Sequence, residues 1–337
     1  MKVYELQNSF GIDSLNIVER DEPTPAAHQV LVRVRAVSLN YRDLLIVKGL
    51  YNPRMQLPRV PMSDGAGEVV AVGEAVTRVN VGDRVTGIFM QTWMGGEMRA
   101  EHRASALGGE LDGMFAEYVA LDEAGVVLVP EHLTFEEAAT LACAAVTAWN
   151  ALFVSGNLTA GETVLVQGTG GVSLFALQFA GLAGARVIVT SSSNEKLDRA
   201  LQLGASDGIN YRDVPEWHKR VRELTDGRGV DYVVEVGGAG TLNKSLAAVR
   251  TSGTVSMIGV LTGISAEVTT AAILHQSVRV HGIFVGSREM FEEMNRAIEL
   301  HKLRPVIDHV FEFEAAREAF RHMEAGAHFG KIVVRIE

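Results

Sequence analysis

The chain contains one cysteine, Cys143, in 337 residues. An internal disulfide is therefore impossible, and a structural zinc site built from three or four thiolates is excluded. Proline is scarce as well, with 8 residues against 34 glycines. This ratio indicates a fold with many tight strand-to-helix turns rather than a proline-rich linker protein.

Surplus positive charge and a long apolar run are also lacking. The net charge is −10 and no dense basic run is present, so we expect no nucleic-acid partner. The N-terminus lacks the apolar core of a signal peptide, and no apolar run of 18 residues is evident, so we expect no membrane partner. The sequence predicts a cytoplasmic protein with a small-molecule substrate.

The pattern of apolar residues changes along the chain, and the length of the chain suggests two domains. Residues 1–125 are strand-rich, with a long surface loop expected at 91–112. From about residue 134, after a capping box of Thr134 and Glu137, strands and helices alternate, which predicts a doubly wound parallel sheet in residues 126–286. Residues 287–337 return to the first domain. The predicted strands of the inserted domain are 163–167, 186–190, 231–236, 254–259 and 278–285.

A glycine-rich turn follows the first of these strands. The sequence Gly168-Thr169-Gly170-Gly171-Val172-Ser173 leads from an apolar strand into a helical pattern. Glycines permit the tight turn and the approach of the backbone to a pyrophosphate, whose charge meets the helix N-terminus. Ser173, which stands where the fingerprint ends in glycine, is small enough for close helix–strand packing. We predict that residues 168–172 bind a dinucleotide.

The end of the second strand indicates which dinucleotide binds. NAD-binding domains usually place an Asp or Glu there to hold the ribose 2′-hydroxyl. Here the strand ends in Ser191, Ser192 and Ser193, with Lys196 in the following helical turn. Hydroxyls and an ammonium can hold a 2′-phosphate by charge-assisted hydrogen bonds, so we predict NADPH as the cofactor.

Short motifs in order along nearly the whole chain resemble the medium-chain dehydrogenase/reductase superfamily, on its zinc-independent quinone oxidoreductase side. This resemblance implies an α/β fold in which a GroES-like β-rich catalytic domain carries an inserted Rossmann doubly wound parallel sheet. The motifs are Asn40-Tyr41-Arg42-Asp43, Gly49-Leu50-Tyr51, residues 64–70, 81–85, 112–119 and 143–149, the glycine-rich loop, Ile209-Asn210-Tyr211 and Gly330-Lys331-Ile332-Val333.

The resemblance also bears on metal binding. Zinc-dependent alcohol dehydrogenases of this superfamily hold catalytic zinc with a Cys, a His and a second Cys. The matching positions here are Asn40, Ser63 and Cys143. An amide, a hydroxyl and one thiol form a poor zinc site, so we expect no metal.

The resemblance further assigns roles to individual residues. Asn40 and Tyr41, and with less support Tyr51, become the polar groups that act on the substrate. Tyr211 joins Lys196 at the 2′-phosphate. The remaining residues expected around the nicotinamide and its ribose are Thr147, Val236, Gly237, Gly259, Val260, Phe284 and Val285.

Together these features predict an NADPH-dependent oxidoreductase that reduces a quinone or an activated C=C bond, two acceptors that the sequence does not separate. An alcohol or aldehyde dehydrogenase of the same superfamily and a non-catalytic, crystallin-like NADPH-binding protein remain as alternatives. The last Rossmann strand is an apolar edge strand, so we expect a homodimer through it.

Overall fold

The computed structural model describes all 337 residues, which form two compact units. The first unit contains Met1–Val146 and Gly286–Glu337, and the second contains Thr147–Val285. Residues 126–128 form a strand of the first unit, and the helix that begins at Phe135 packs against its sheet.

The first unit is rich in antiparallel strands. A two-stranded sheet pairs β1 with β2, and a seven-stranded sheet has the order β14-β15-β3-β4-β5-β7, with β6 paired to β3. Strand β3 is largely buried because it pairs with β4, β6 and β15. The strands are β1 Lys2–Leu6, β2 Leu15–Glu19, β3 Gln29–Leu39, β4 Asp64–Val72, β5 Arg84–Gly87, β6 Tyr118–Asp122, β7 Val126–Leu128, β14 Ile307–Phe311 and β15 Lys331–Arg335.

Helices cover the sheets of this unit. Helix α2 begins with the expected capping box, in which Thr134 Oγ1 accepts from the Glu137 N–H at 3.2 Å. The core contains Leu39, Phe115 and Phe320, all buried. The helices are α1 Tyr41–Val47, α2 Phe135–Ala138, α9 Arg288–His301 and α10 Ala316–Glu324, with 3-10 turns at Ile12–Ser14, Ala100–Ser105, Glu123–Gly125 and Phe313–Ala315.

The second unit is a six-stranded sheet in which every pairing is parallel. Its order is β10-β9-β8-β11-β12-β13, so the direction of winding reverses beside β8. This is the doubly wound arrangement expected from the sequence, and ligands bind such sheets outside the carboxyl ends of the strands near the reversal. The strands are β8 Thr163–Gln167, β9 Arg186–Ser191, β10 Asp207–Asn210, β11 Val230–Glu235, β12 Val249–Met257 and β13 Arg279–Gly282.

Helices pack against this parallel sheet through a separate core. Leu165, Ile188 and Val233 from the strands are buried with Trp217 and Leu246 from the helices. The helices are α3 Val146–Trp149, α4 Gly171–Leu182, α5 Asn194–Gln202, α6 Trp217–Leu224, α7 Leu242–Ala248 and α8 Thr270–His275, with a π-helical segment at Asn150–Val154. Another π-helical segment, Leu141–Ala145, precedes α3 and belongs to the first unit.

Three details differ from the sequence-based expectations. An apolar helical run of 20 residues does exist, Phe135–Val154, but 72% of its most apolar window is buried inside the protein, as in a core helix. Residues 91–112 are not a simple surface loop, because Trp93 and Leu107 are buried and the Arg288 N–H donates to the Trp93 carbonyl at 3.0 Å. The last strand is shorter than 278–285, since Val285 has a φ of 49° and leaves the extended conformation.

Candidate active site

The first unit brings Asn40 to the point where β3 ends and α1 begins. The main chain shapes this junction: the Asn40 N–H donates to Asp43 Oδ2 at 2.8 Å, and the Asp43 N–H donates to the Asn40 carbonyl at 2.8 Å. Asn40 and Asp43 thus form a capping box at the start of α1, in which the Asn40 carboxamide and the Asp43 carboxylate each face the main-chain N–H of the other residue. Asn40 is 9% exposed, so part of it reaches the surface of the unit.

A lysine ammonium occupies the other side of this carboxamide. Lys331 Nζ donates to Asn40 Oδ1 at 2.6 Å and to the Leu39 carbonyl at 2.7 Å, and it lies 3.9 Å from Asp64 Oδ2. Lys331 is 3% exposed and Asp64 is fully buried. In the sequence, Lys331 is visible only as part of a family motif, and no local pattern indicates its role.

Ser63 completes the group. Its hydroxyl donates to Asp64 Oδ1 at 2.8 Å, and the Asn40 amide nitrogen lies 3.5 Å from Ser63 Oγ. Cys143 approaches from the helical run, where its N–H donates to Asp64 Oδ2 at 3.2 Å. The structure therefore brings together the three positions that matched zinc ligands, namely Asn40, Ser63 and Cys143.

The chemistry of these donors does not suit zinc. The Asn40 oxygen is already held by an ammonium, and a second cation beside it would be repelled. Burial, with the nearby charge of Asp64, raises the pKa of the Cys143 thiol and disfavours the thiolate that binds metal. No group of three or more His, Cys, Asp or Glu side chains anywhere in the chain is arranged to hold a metal ion.

Two buried carboxylates and two cations balance each other in this region. Burial raises the pKa of Asp43 to about 6; the Arg42 guanidinium lowers it and Asp64 raises it further. Burial also raises the pKa of Asp64, against the opposing effect of Lys331 and of hydrogen bonds from Asn40 and Ser63. Arg42 Nη1 donates to the Leu107 carbonyl at 2.8 Å.

The two tyrosines predicted for the site lie at its surface. Tyr41 begins α1 and is 41% exposed, and Tyr51 is 39% exposed. The Arg42 guanidinium lies over the Tyr51 ring, 5.4 Å from its centroid. Neither phenol hydrogen-bonds to another residue of the chain. Both tyrosines therefore lie outside the hydrogen-bond network of Asn40.

The second unit places the glycine-rich turn between β8 and α4, as predicted. Gly168 has a φ of 70°, which glycine adopts without strain, and its N–H donates to the Thr190 carbonyl at 2.8 Å. The Ser173 hydroxyl donates to the Gln167 carbonyl at 2.7 Å and ties the helix to the strand. Thr169 is buried, and Gly171 and Val172 begin α4.

The N-terminus of α4 is suited to a phosphate group. Gly170 is its N-cap, and no side chain caps the helix. A Cβ added to Gly170 would meet no atom within 4 Å, so space is open beside the first turn. Uncapped N–H groups and the positive end of the helix dipole favour an anion here. A dinucleotide pyrophosphate therefore fits the residues present.

The residues predicted for the 2′-phosphate also lie together. Ser191 ends β9, and its carbonyl accepts from the Tyr211 N–H at 3.0 Å, because β10 pairs with β9. Ser193 caps α5 by accepting from the Lys196 N–H at 3.3 Å, and Ser192 lies between the two serines. No carboxylate ends β9.

The other predicted cofactor residues follow the carboxyl ends of the later strands. Val236 and Gly237 follow β11, Gly259 and Val260 follow β12, and Phe284 and Val285 follow β13. The Asn150 amide fixes the last segment by donating to the Val285 carbonyl at 2.8 Å. Thr147 is buried at the start of this unit.

Sequence-based reasoning missed the buried carboxylate that organises these strand ends. Glu235 Oε1 accepts from the N–H groups of Gly237 and Gly238 at 2.8 and 2.9 Å. Glu235 Oε2 accepts from Gln167 Nε2 at 2.7 Å and from the Ser245 hydroxyl. Its only signal in the sequence is an acidic residue at the end of an apolar strand.

Comparison with protein families identifies both parts of the chain. Residues 26–131 match the alcohol dehydrogenase GroES-like domain, and residues 171–300 match the zinc-binding dehydrogenase family. The second match contains none of the positions Asn40, Ser63 and Cys143. The chain belongs to the medium-chain dehydrogenase/reductase superfamily, and its fold is a GroES-like domain with a Rossmann domain.

Individual relatives agree with this assignment. A zinc-type alcohol dehydrogenase-like protein of Schizosaccharomyces pombe is 46% identical over 334 residues, covering 97% of this chain and 96% of the relative. The human quinone oxidoreductase is 29% identical over 310 residues, covering 90% of this chain and 88% of the relative. The chain is therefore an oxidoreductase of this superfamily.

Two solved structures with different cofactor descriptions are similar. An NAD-dependent alcohol dehydrogenase has a TM-score of 0.92 and 33% identity, with all of both chains covered. A mycobacterial protein solved in complex with NADPH has a TM-score of 0.84 and 29% identity, again with all of both chains covered. The superfamily uses nicotinamide cofactors.

The burial of Asp43 gives the stability of the protein a pH dependence of known sign. Its pKa in the folded state, about 6, lies above the ordinary 3.8. Between these values the folded chain binds more protons than the unfolded chain, so the free energy of unfolding falls as pH rises. Asp43→Asn retains an acceptor for the Asn40 N–H but cannot ionise. We therefore expect the free energy of unfolding of this variant to fall by up to about 3 kcal/mol less than that of the wild type over the same pH range. Urea unfolding at both ends of the pH window measures the effect.

Asp231→Asn is the matched control. Burial opposes ionisation of Asp231, but hydrogen bonds from Arg228 and Arg250 lower its pKa to about 2, below the window. We expect this variant to be less stable throughout the window with the wild-type slope. Asp64 contributes with the same sign as Asp43, so the slope of Asp43→Asn is reduced rather than abolished. An unchanged slope in Asp43→Asn would contradict the assignment.

Proposed function

We propose that the protein is a zinc-independent, NADPH-dependent reductase that delivers hydride to a quinone or an activated C=C bond. The observation that carries the proposal is the replacement of two of the three zinc ligands, by Asn40 and Ser63, with the Asn40 oxygen held by Lys331. When bound, NADPH supplies the hydride. The protein's own residues must bind the acceptor and stabilise the charge that develops on the acceptor oxygen.

Asn40 is the residue we assign to that charge. Hydride addition to a conjugated acceptor moves an electron pair onto the acceptor oxygen, and a fixed N–H donor stabilises this oxyanion. One proton then completes the reduction. The exposed phenols of Tyr41 and Tyr51 are positioned at the surface of the unit, where they can exchange protons with water.

The cofactor preference rests on the end of β9. Ser191, Ser193 and Tyr211 converge there without a carboxylate, and Lys196 lies in the first turn of α5. A cation in the first turn of a helix opposes the helix dipole, and a bound anion compensates it. These features favour NADPH over NADH, and the remaining strand-end residues together with Thr147 are assigned to the nicotinamide and ribose.

An alcohol or aldehyde dehydrogenase is the second candidate, favoured by the descriptions of the similar S. pombe protein and NAD-dependent enzyme. The two functions differ in what they require. Dehydrogenation of an alcohol by zinc chemistry would depend on bound metal, whereas the proposed reduction would not. A non-catalytic NADPH-binding protein would bind the cofactor without oxidising it in the presence of any acceptor.

The first test of the cofactor site is Lys196→Ala. Loss of one charge-assisted contact with the 2′-phosphate is expected to weaken NADPH binding by about tenfold to a hundredfold. NADH lacks the 2′-phosphate, so its affinity should change little. Fluorescence titration of both cofactors measures the two affinities. Lys219→Ala, which removes an exposed lysine of α6, should leave both unchanged. Equal losses for NADH and NADPH would contradict the 2′-phosphate site.

The test of the reaction is NADPH oxidation over a panel of quinones and enones, with metal analysis of the same preparation. We expect turnover that survives treatment with a chelator. Asn40→Ala should lower kcat/KM by about a hundredfold, the usual loss for one oxyanion donor, without changing NADPH affinity. Alcohol oxidation that is lost on chelation would instead support the second candidate.

We also propose a homodimer through β13. This strand forms one edge of the parallel sheet, and all four of its residues, Arg279–Gly282, are exposed. Exposed apolar side chains lie in the same unit at Val280, Ile264 and Leu274. An exposed edge strand offers unpaired main-chain groups to a second copy.

Charge placed on this edge should separate the subunits. We expect the wild type to have the mass of a dimer by light scattering and Val280→Lys to have the mass of a monomer at the same concentration. Val214→Lys, at a similarly exposed valine away from β13, serves as the control and should remain dimeric. A monomeric wild type would refute the interface.

A further inference from the structure

Lys331 is held in the interior by main-chain geometry as well as by its partners. Gly330 has a φ of 94°, and a Cβ at this position would lie 2.3 Å from the Val306 carbonyl oxygen, so only glycine fits the turn. The Lys331 N–H donates to the same carbonyl at 2.9 Å, and the next residue, Ile332, pairs with Leu39. The start of β15 is thereby fixed beside the end of β3.

The contact between Lys331 and Asn40 determines how the carboxamide is oriented. An ammonium has three donors and no acceptor, whereas a carboxamide has one acceptor oxygen and one donor nitrogen. The Asn40 oxygen must therefore face Lys331 Nζ, at 2.6 Å. The amide nitrogen faces the opposite way, toward Ser63 Oγ at 3.5 Å and the Asp64 carboxylate, so one of its two N–H groups is directed at the Ser63–Asp64 pair.

We propose that Lys331 is the positioning residue for Asn40, which it locks so that the second amide N–H is directed at the acceptor oxygen of the substrate. This inference rests on the proposed function and deepens it. A flipped carboxamide would offer its oxygen to the developing oxyanion and repel it. The ammonium prevents that flip, and by polarising the amide it strengthens the N–H donors.

A purely structural role for Lys331 predicts something different. In that case the ammonium would only neutralise Asp64, 3.9 Å away, and its removal would lower stability without a specific effect on Asn40. The two roles are separable because one acts through the carboxamide and the other through the carboxylate. A double-mutant cycle with Asn40 measures the first directly.

The experiment compares Lys331→Met, Asn40→Ala and the double variant with the wild type. We expect Lys331→Met to lower kcat by about tenfold to a hundredfold with unchanged NADPH affinity, because a misplaced donor costs rate rather than cofactor binding. In the Asn40→Ala background the same change should cost no more than about twofold. Effects that multiply independently would overturn the proposal.

Lys331→Met leaves Asp64 buried without its cation, so this variant can unfold. The cycle is therefore repeated in the Asp64→Asn background, where both charges are removed and the Ser63 hydroxyl keeps an oxygen partner. Lys244→Met is the matched control, since this lysine donates to the Pro215 carbonyl in the other unit. It should leave kcat unchanged.

A second readout does not depend on turnover. With ¹⁵N-labelled asparagine, the side-chain amide signal of Asn40, identified by its loss in Asn40→Ala, reports the orientation and exchange of this group. We expect Lys331→Met to shift the signal and speed its exchange, and Lys244→Met to leave both unchanged. An unshifted signal would overturn the proposal. If the wild type reduces no acceptor, the proposed function fails, and this signal still decides whether Lys331 holds Asn40.

Discussion

The constraint on which the candidate site of the first unit depends is the neutralisation of the buried ammonium of Lys331. An unpaired charge in a protein interior costs several kcal/mol, so Lys331 persists only with compensating groups. The Leu39 carbonyl and the Asn40 oxygen accept its hydrogen bonds, and Asp64 supplies the opposite charge. These partners come from the end of β3 and the start of β4, and they bring Ser63 and Cys143 with them. The geometry of the candidate site therefore follows from the requirements of one cation.

The same constraint explains why the residues at the zinc positions form a consistent set. Two carboxylates, Asp43 and Asp64, are buried beside two side-chain cations, Arg42 and Lys331, so the region is close to neutral without metal. A further divalent cation would leave it with excess positive charge. The amide at position 40 suits this environment because it is neutral and can accept a hydrogen bond from Lys331 while it donates elsewhere.

Local patterns in the sequence were sufficient to predict much of the fold, but they did not predict contacts between residues that are distant in the sequence. Strand β8, the capping box at Thr134 and the turn at Gly168 depend on neighbouring residues, and all three were predicted where they occur. The contact of Lys331 with Asn40 joins residues 291 positions apart, and no periodicity reveals it. The Glu235 network is another case, because a carboxylate ending an apolar strand looks the same whether it meets solvent or a ring of donors.

The two units place their functional groups by different means, and this affects how each can vary. In the second unit, the groups proposed to bind phosphate are main-chain N–H groups and glycines within a few residues of one another, an arrangement that tolerates change elsewhere in the sheet. In the first unit the groups are side chains from β3, β4, β15 and the helical run, and each is a partner of another. A substitution at any one of them disturbs the others, because buried polar networks are costly when partly satisfied. Under the proposed function, acceptor specificity would therefore change most readily at the exposed Tyr41 and Tyr51, which lie outside this network.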